Sequence, residues 1–429
     1  MSLRLVLYTL FFLALGPAIA AWVDSPAKAA EPLGMPDGVS SEDWPWWRGP
    51  MRNGAAPCDS APLTWSKTEN VVWRAAVPGR GHASPTIAGA RVILPTADET
   101  AQTQSILCFH RETGDLLWER EVHRGKFVGG GNAKSTQASA SVACDGERIF
   151  INFLHDDAVF TSALSLEGEI LWQKRISGFV NHQGFGASPA VYGALVLVSS
   201  DNKGGGVLAG LNGKTGEVVW SHDRPKMPNY TSPIVLQVEG RAQALFSGCE
   251  LLTSLDPLTG EKLWEVEGAT TECVTSTVTS GGLVYSSGGY PRNHIQAVKA
   301  DGSGTTVWEN KQRVYVPSML EHEGYLYASS DDGIGLCLVA ATGEEAWKTR
   351  LEGKFTASPV RVGDRIYATS ESGRTVVFRA SPERYEQLAE NQLGDQAFAT
   401  PAICGGRIYH RVVEEGKDGR QEWLYCLGE

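Results

Sequence analysis

Lys214-Thr215-Gly216-Glu217-Val218-Val219-Trp220 reads as a tight turn opening into a strand, and variants of it recur along the 429-residue chain. Arg111-Glu112-Thr113-Gly114 leads to Trp118, Leu166-Glu167-Gly168 to Trp172 and Leu258-Thr259-Gly260 to Trp264. Gly302-Ser303-Gly304 leads to Trp308, and Ala341-Thr342-Gly343 to Trp347. In every copy the Trp stands four residues after a Gly. Glycine tolerates the positive φ of a tight turn. Side chains alternate along the strand that follows, so each Trp falls at one geometrical position. Trp118, Trp172, Trp220, Trp264, Trp308 and Trp347 are therefore expected to dock one repeat against the next, each burying roughly 150–250 Å².

A second marker interleaves with the first: Ser-Pro or a relative, then Gly, then an apolar pair. Its copies are Ser84-Pro85, Ser188-Pro189, Ser232-Pro233, Ser276-Thr277, Pro317-Ser318, Ser358-Pro359 and Thr400-Pro401, with Ser139-Ala140-Ser141 the loosest of the eight. Trp73 and a degenerate copy near Leu388 bring the Trp marker to the same count. Eight of each predicts eight units. In the unit 185–220 the runs Ala190-Val191-Tyr192, Leu195-Val196-Leu197-Val198, Val207-Leu208-Ala209 and Val218-Val219-Trp220 are separated by turn residues. Four short alternating runs joined by hairpins describe a propeller blade. Successive Trp intervals of 45, 54, 48, 44, 44 and 39 residues suit a four-stranded repeat of about 40–50.

The longest interval contains Phe127-Val128-Gly129-Gly130-Gly131-Asn132, an inserted loop. Residues 381–391 are expected to form one or two helical turns in place of the seventh Thr-Gly-Trp motif. Asn70-Val71-Val72-Trp73-Arg74 is a lone strand that carries the Trp without the turn, while the C-terminal runs Arg407-Ile408-Tyr409-His410 and Glu422-Trp423-Leu424-Tyr425-Cys426 stop short of a Trp-bearing strand. The ends complement each other. The expected fold is all-β: an eight-bladed propeller of four-stranded antiparallel blades over 70–429, closed by the N-terminal strand completing the last blade.

Ahead of the propeller, residues 1–20 read as a signal peptide. Arg4 is followed by an apolar core and by Ala18-Ile19-Ala20, with Ala27-Lys28-Ala29 a second cleavage candidate. Residues 21–42 are expected to be a disordered linker. Residues 43–69 hold Trp44-Pro45-Trp46-Trp47, expected to brace one face of the array or to offer an aromatic patch to a glycan. No later stretch is long and apolar enough to span a membrane. The net charge is −11, and an acidic chain without a basic block is a poor nucleic-acid binder.

Cys108, Cys337 and Cys426 fall at one repeat position, where other units carry Ser162, Gly210 and Ser254. This reads as a small-residue slot in a packed strand. Pairing among the eight Cys is open. Asp156-Asp157, Asp201-Asn202 and Asp331-Asp332-Gly333 read as hairpin turns. No zinc, serine-hydrolase or nucleotide motif is present, and no metal is expected.

The pattern of small residue, Leu, Asp, two residues, Thr-Gly, three residues, Trp resembles the repeat of pyrroloquinoline-quinone-type propellers. Residues Ser254-Leu255-Asp256-Pro257-Leu258-Thr259-Gly260-Glu261-Lys262-Leu263-Trp264 are the best copy. The resemblance runs from Trp73 to the end. It implies one of two functions. One is that of quinoprotein dehydrogenases, which oxidise alcohols or sugars with the quinone and Ca²⁺ in the central funnel. The other is that of non-catalytic propellers such as the BamB subunit of the outer-membrane barrel assembly machinery. Many of the dehydrogenases carry adjacent Cys in a ring disulfide, and this chain has no Cys-Cys pair. Their Ca²⁺ ligands and catalytic Asp match no position here. Trp47-Arg48-Gly49-Pro50 with Asn53-Gly54 is similar to the N-terminal signature of secreted propellers of this type.

Loop residues ahead of the innermost strands should line one mouth of the channel. The candidates for a ligand- or peptide-binding site are Arg80, His82, Gln137, His182, Tyr230, Glu272, Tyr315, Lys354 and Gln396. The expected protein is an exported, periplasmic or extracellular monomer without catalytic residues. It would bind a protein partner, small ligand or glycan at a propeller face, with no cofactor. The alternative is a diverged dehydrogenase that uses the quinone with Ca²⁺.

Overall fold

The computed structural model describes residues 33–417 and 419–429; the signal-peptide reading and residues 21–32 of the linker lie outside them. The strands form eight four-stranded antiparallel sheets in chain order. Blades 1 to 7 span residues 86–124, 143–178, 190–223, 234–267, 278–310, 320–350 and 360–392. Blade 8 combines Ala402–Cys404, Arg407–Gly416 and Gly419–Leu427 with Val71–Val77 as its outermost strand. Trp73 pairs with Cys426 there, so chain start and chain end share one sheet and the ring closes. Among the described residues no helix is long and apolar enough to cross a membrane.

The two sequence markers are the two sets of joints between blades. Five of the Trp pack beneath the turn Gly of the following blade: Gly114 covers Trp73, Gly168 covers Trp118, Gly216 covers Trp172, Gly260 covers Trp220 and Gly343 covers Trp308. A Cβ on Gly260 would lie 2.6 Å from the Trp220 ring, so the glycine is required by lack of space as well as by its φ of +71°. The indole N–H donates to a carbonyl of that same turn, as in Trp118 to Leu166 at 3.0 Å and Trp172 to Gly213 at 2.9 Å. Trp264 departs from the rule and donates to Gln243 Oε1 of its own blade. Directly cross-strand from the Trp sits a small residue: Cys108, Gly210, Ser254, Ala297, Cys337 or Cys426. In blade 2 that residue is Ala163 and not Ser162, because the register opposite Trp172 is shifted by one. All eight cysteines are free thiols.

The second marker forms two arcs around the channel. Ser84 N–H donates to Ser141 Oγ, Ser141 to Ser188 and Ser188 to Ser232. Ser276 donates to Ser318, Ser318 to Ser358 and Ser358 to Thr400, at 2.8–2.9 Å throughout. Small hydroxyls ahead of the inner strands thus link blades 1 to 4 and blades 5 to 8 through their backbones.

Blade 7 corrects the helical expectation for 381–391. Gln387–Gln392 is its outer strand, and Ala389 stands opposite Val377, where a Trp stands elsewhere. Trp65 from the N-terminal segment stacks on Tyr367 at 6.2 Å, as Trp347 meets Tyr327 at 6.1 Å in blade 6. The Trp65 backbone N–H also donates to Asn391 Oδ1. The missing repeat Trp is supplied from outside the repeat. Earlier still, Leu33 and Met35 pack on the apolar clusters of blades 2 to 4, so the end of the 21–42 stretch lies against the propeller.

Candidate functional site

Residues 43–56 fill one end of the central channel. Trp44 exchanges backbone hydrogen bonds with Ile87 of blade 1, Pro45 O accepts from Cys144 N–H of blade 2, and Gly54 and Ala56 bond to Arg361 of blade 7. Arg48 is buried and donates to the carbonyls of Asn53, Met319 and Pro359. Arg52 donates to Val191 O and lies 4.0 Å over the Trp46 ring. Burial pulls both guanidinium groups down to about 9. These backbone carbonyls take up terminal guanidinium N–H groups, while the Nε of each Arg is buried without a partner. Trp44 and Trp46 are 1% and 2% exposed. Neither can meet a glycan, which corrects the idea of an aromatic patch across the cluster. Trp47 alone of the three reaches open space, its indole N–H held by Ser276 Oγ at 2.8 Å.

Above Trp47 the channel opens as a blind funnel of about 710 Å³. The residue two places before each ring hydroxyl lines it: His82, Ser139, Gly186, Tyr230, Val274, Val316, Thr356 and Phe398. His82, His182, Tyr230, Glu272, Tyr315 and Lys354 of the sequence candidates face this cavity; Arg80, Gln137 and Gln396 do not. Arg80 and Gln396 are tied by backbone bridges to the second strand of their own blades, at Ala97 and Val413. Gln137 donates to Val128 O in a separate small recess. Of the five candidates that stand four places ahead of a hydroxyl, Glu272 and Lys354 thus reach the funnel and Arg80, Gln137 and Gln396 do not. Trp47, Lys134, Tyr290, Arg313, Asp331 and Glu371 line the funnel as well. A fixed offset of two would have reached only its innermost course.

The funnel walls differ in charge. On one side Glu272 Oε2 accepts from Tyr315 O–H and Oε1 lies 3.2 Å from His182 Nε2. Burial and the Glu272 carboxylate raise the Tyr230 and Tyr315 phenols. Asp331 accepts from the Tyr315 and Val316 N–H groups, and burial raises its carboxyl. On the other side His82 stacks on Phe398 at 4.4 Å, and burial with the nearby Arg411, Arg80, Arg420 and Lys134 cations pulls it down to about 3. The inserted loop crosses the mouth: Lys134 Nζ lies 2.7 Å from both carboxylate oxygens of Glu371 in blade 7. Asn181 holds the carbonyls of Gly129 and Gly130 behind it.

A family model described as outer membrane protein assembly factor BamB matches residues 62–153 and 102–349. The chain belongs to that family. No curated protein matches it. Among solved structures, BamB from Moraxella catarrhalis is 15% identical with a TM-score of 0.58, covering 82% of this chain and 96% of that one. A europium-containing methanol dehydrogenase is 10% identical with a TM-score of 0.62, covering 90% and 98%. The quinohemoprotein alcohol dehydrogenase from Comamonas testosteroni is 10% identical with a TM-score of 0.59, covering 91% and 82%. At these identities the shared property is the propeller fold.

The funnel of this BamB-family propeller can be tested against the quinone and Ca²⁺ that the fold suggests. Ca²⁺ takes six to eight oxygen ligands, usually with several carboxylates. Among the described residues no three His, Cys, Asp or Glu side chains converge. Glu371 is engaged by Lys134 and Thr356, Asp331 by two backbone N–H groups, and Glu272 by Tyr315. These residues do not assemble that donor set.

Proposed function

We propose that the chain is an exported, non-catalytic propeller of the cell envelope that binds a small ligand or a segment of a protein partner in its blind funnel. The observation that carries this reading is the plugged channel. Residues 43–56 close one end, leaving a cavity whose lining differs from blade to blade although the blades themselves repeat. A concave site with a few fixed polar groups among aromatic faces is the general form of a binding site. Membership of the assembly-factor family supports partner binding, and the apolar N-terminal stretch with its Ala-x-Ala sites supports export.

A thermal-shift panel of cationic, neutral and anionic small molecules tests the reading. The intact chain is compared with Val274→Trp, which puts a bulky ring into the cavity wall. Ligands that stabilise the first and not the second bind in the funnel; a panel in which no class does so overturns the reading. Pyrroloquinoline quinone with Ca²⁺ belongs in the panel, followed by dye-linked oxidation of alcohols. Stoichiometric binding with turnover would establish the dehydrogenase instead.

A further inference from the structure

We propose that the funnel wall formed by Glu272, Tyr230, Tyr290 and Tyr315 is a receptor for an organic ammonium group. The proposal rests on the reading of the funnel as a binding site and names its ligand chemistry. Three of the four carboxylates on the cavity wall have a fixed cation within 4 Å. Glu371 has Lys134 at 2.7 Å, while Asp331 and Asp332 share Arg313 at 3.9 and 3.7 Å. Glu272 has no Lys or Arg partner among the described residues, although its side chain is only 5% exposed. Its protein contacts are one phenol and one imidazole. A buried carboxylate is costly unless a cation completes it.

The surroundings suit a cation that arrives with the ligand. Tyr230, Tyr290 and Tyr315 border the same cavity, and tyrosine faces attract cations electrostatically; Arg313 already lies over the Tyr315 ring at 5.3 Å, so the Tyr230 and Tyr290 rings are the ones offered to the ligand. The Tyr230 hydroxyl is buried without a hydrogen-bond partner, leaving an acceptor for an ammonium N–H. The opposite wall carries Lys354 beside the Lys134–Glu371 pair. A positive group entering the mouth is therefore drawn toward Glu272 and repelled from the far side.

Free small amines and the lysine side chain of a peptide share this chemistry. Isothermal titration of the intact chain would use Nα-acetyl-lysine methylamide, its neutral Nε-acetyl counterpart and tetramethylammonium. The lysine derivative should bind about tenfold or more tightly than the neutral counterpart, and Glu272→Gln should weaken it by about tenfold. Lys354→Ala, on the far wall, should leave it unchanged or improve it. Tetramethylammonium binding as well points to a small amine; the lysine derivative alone points to a peptide side chain. Equal binding of the charged and neutral derivatives, or no binding of either cation, overturns the proposal. Should Glu272→Gln fail to fold, the charged and neutral pair on the wild-type chain and Tyr315→Phe carry the test. If anions or neutral molecules bind in the funnel and cations do not, the ammonium site falls while the funnel remains a binding site. If no class binds, the functional reading itself falls.

Discussion

The two ends of the central channel are built differently. The floor is one continuous segment, residues 43–56, which touches blades 1, 2, 3, 5, 6 and 7 through backbone and buried Arg contacts. The mouth is assembled from eight separate loops and a long insertion, closed by a half-exposed ion pair. One is fixed by packing and satisfied carbonyls, the other by pairs of side chains in contact with solvent. The difference separates stability from binding. Substitutions in the floor should unfold the ring, whereas those in the mouth should alter what the funnel admits.

The largest effect should come from Arg48→Met. It removes the donor to the Asn53, Met319 and Pro359 carbonyls and leaves buried acceptors unpaired. At about 1–3 kcal/mol for each such group, the loss should reach about 3–5 kcal/mol, read as a lower urea midpoint. A loss below about 1 kcal/mol would make the floor a cover and not a joint. Trp65→Ala should follow at about 3–5 kcal/mol, the usual cost of deleting a large buried aromatic. It empties the Trp position of blade 7, which Ala389 does not fill.

The glycines sharpen the same contrast. Gly260→Ala places a Cβ 2.6 Å from the Trp220 ring at a φ of +71°, whereas Gly302→Ala, at +94°, meets nothing within 4 Å. The positive φ costs each about 1–2 kcal/mol. Overpacking adds about 1–3 kcal/mol for Gly260 alone. Equal losses in the two variants would show that the joint between blades does not need the bare Cα.

These joints were legible in the sequence because they repeat. Gly-x-x-x-Trp and the Ser-Pro hydroxyl recur in blade after blade, and a repeated residue advertises its position. The fold, the blade count and the ring closure followed. Trp65 was not legible as a repeat element, because it reaches blade 7 across about three hundred residues of chain and carries no turn motif. The funnel was half legible. Its loops were located, but at one and the same loop position Glu272 and Lys354 line the cavity while Arg80, Gln137 and Gln396 do not, although Arg80, Glu272 and Gln396 all sit at backbone bridges. The clasp of Lys134 on Glu371 joins an insertion to a turn three blades away, and no local pattern encodes it.

Acidification should weaken the ring before the carboxylates titrate. His410 is fully buried in Arg407–Gly416, and burial pulls its imidazole down to about 4, against about 6.5 in the unfolded chain. The unfolded chain therefore binds the proton first. Stability is full above pH 6.5 and declines as the pH falls toward 4, on the order of 3 kcal/mol for this residue. His123, pulled down to about 4, acts in the same window. Urea midpoints measured across this range should slope, and His410→Phe should reduce the slope by its share, leaving what His123 and His82 contribute. A flat wild-type profile would place protonation of His410 outside the folding equilibrium.

The smallest effect on stability, and the most direct probe of the mouth, is Lys134→Ala. The lysine is half-exposed, and solvent-accessible ion pairs contribute about 0–1 kcal/mol. The urea midpoint should therefore scarcely move. Local opening should change much more. Phe127 and Val128 anchor the start of the loop on apolar clusters, but Gly129, Gly130 and Gly131 carry no side chain to pack, and beyond the clasp residues 129–135 are held mainly by Asn181 and the Gln183 carbonyl. Amide hydrogen exchange over residues 127–135 should accelerate in Lys134→Ala and in Glu371→Gln, and in the wild type at high salt, which screens such pairs. Exchange in the floor segment 43–56 should stay slow in all three. Faster exchange at both ends together would mean that the loop is wedged into the ring, and the contrast between a rigid floor and a soft mouth would fail.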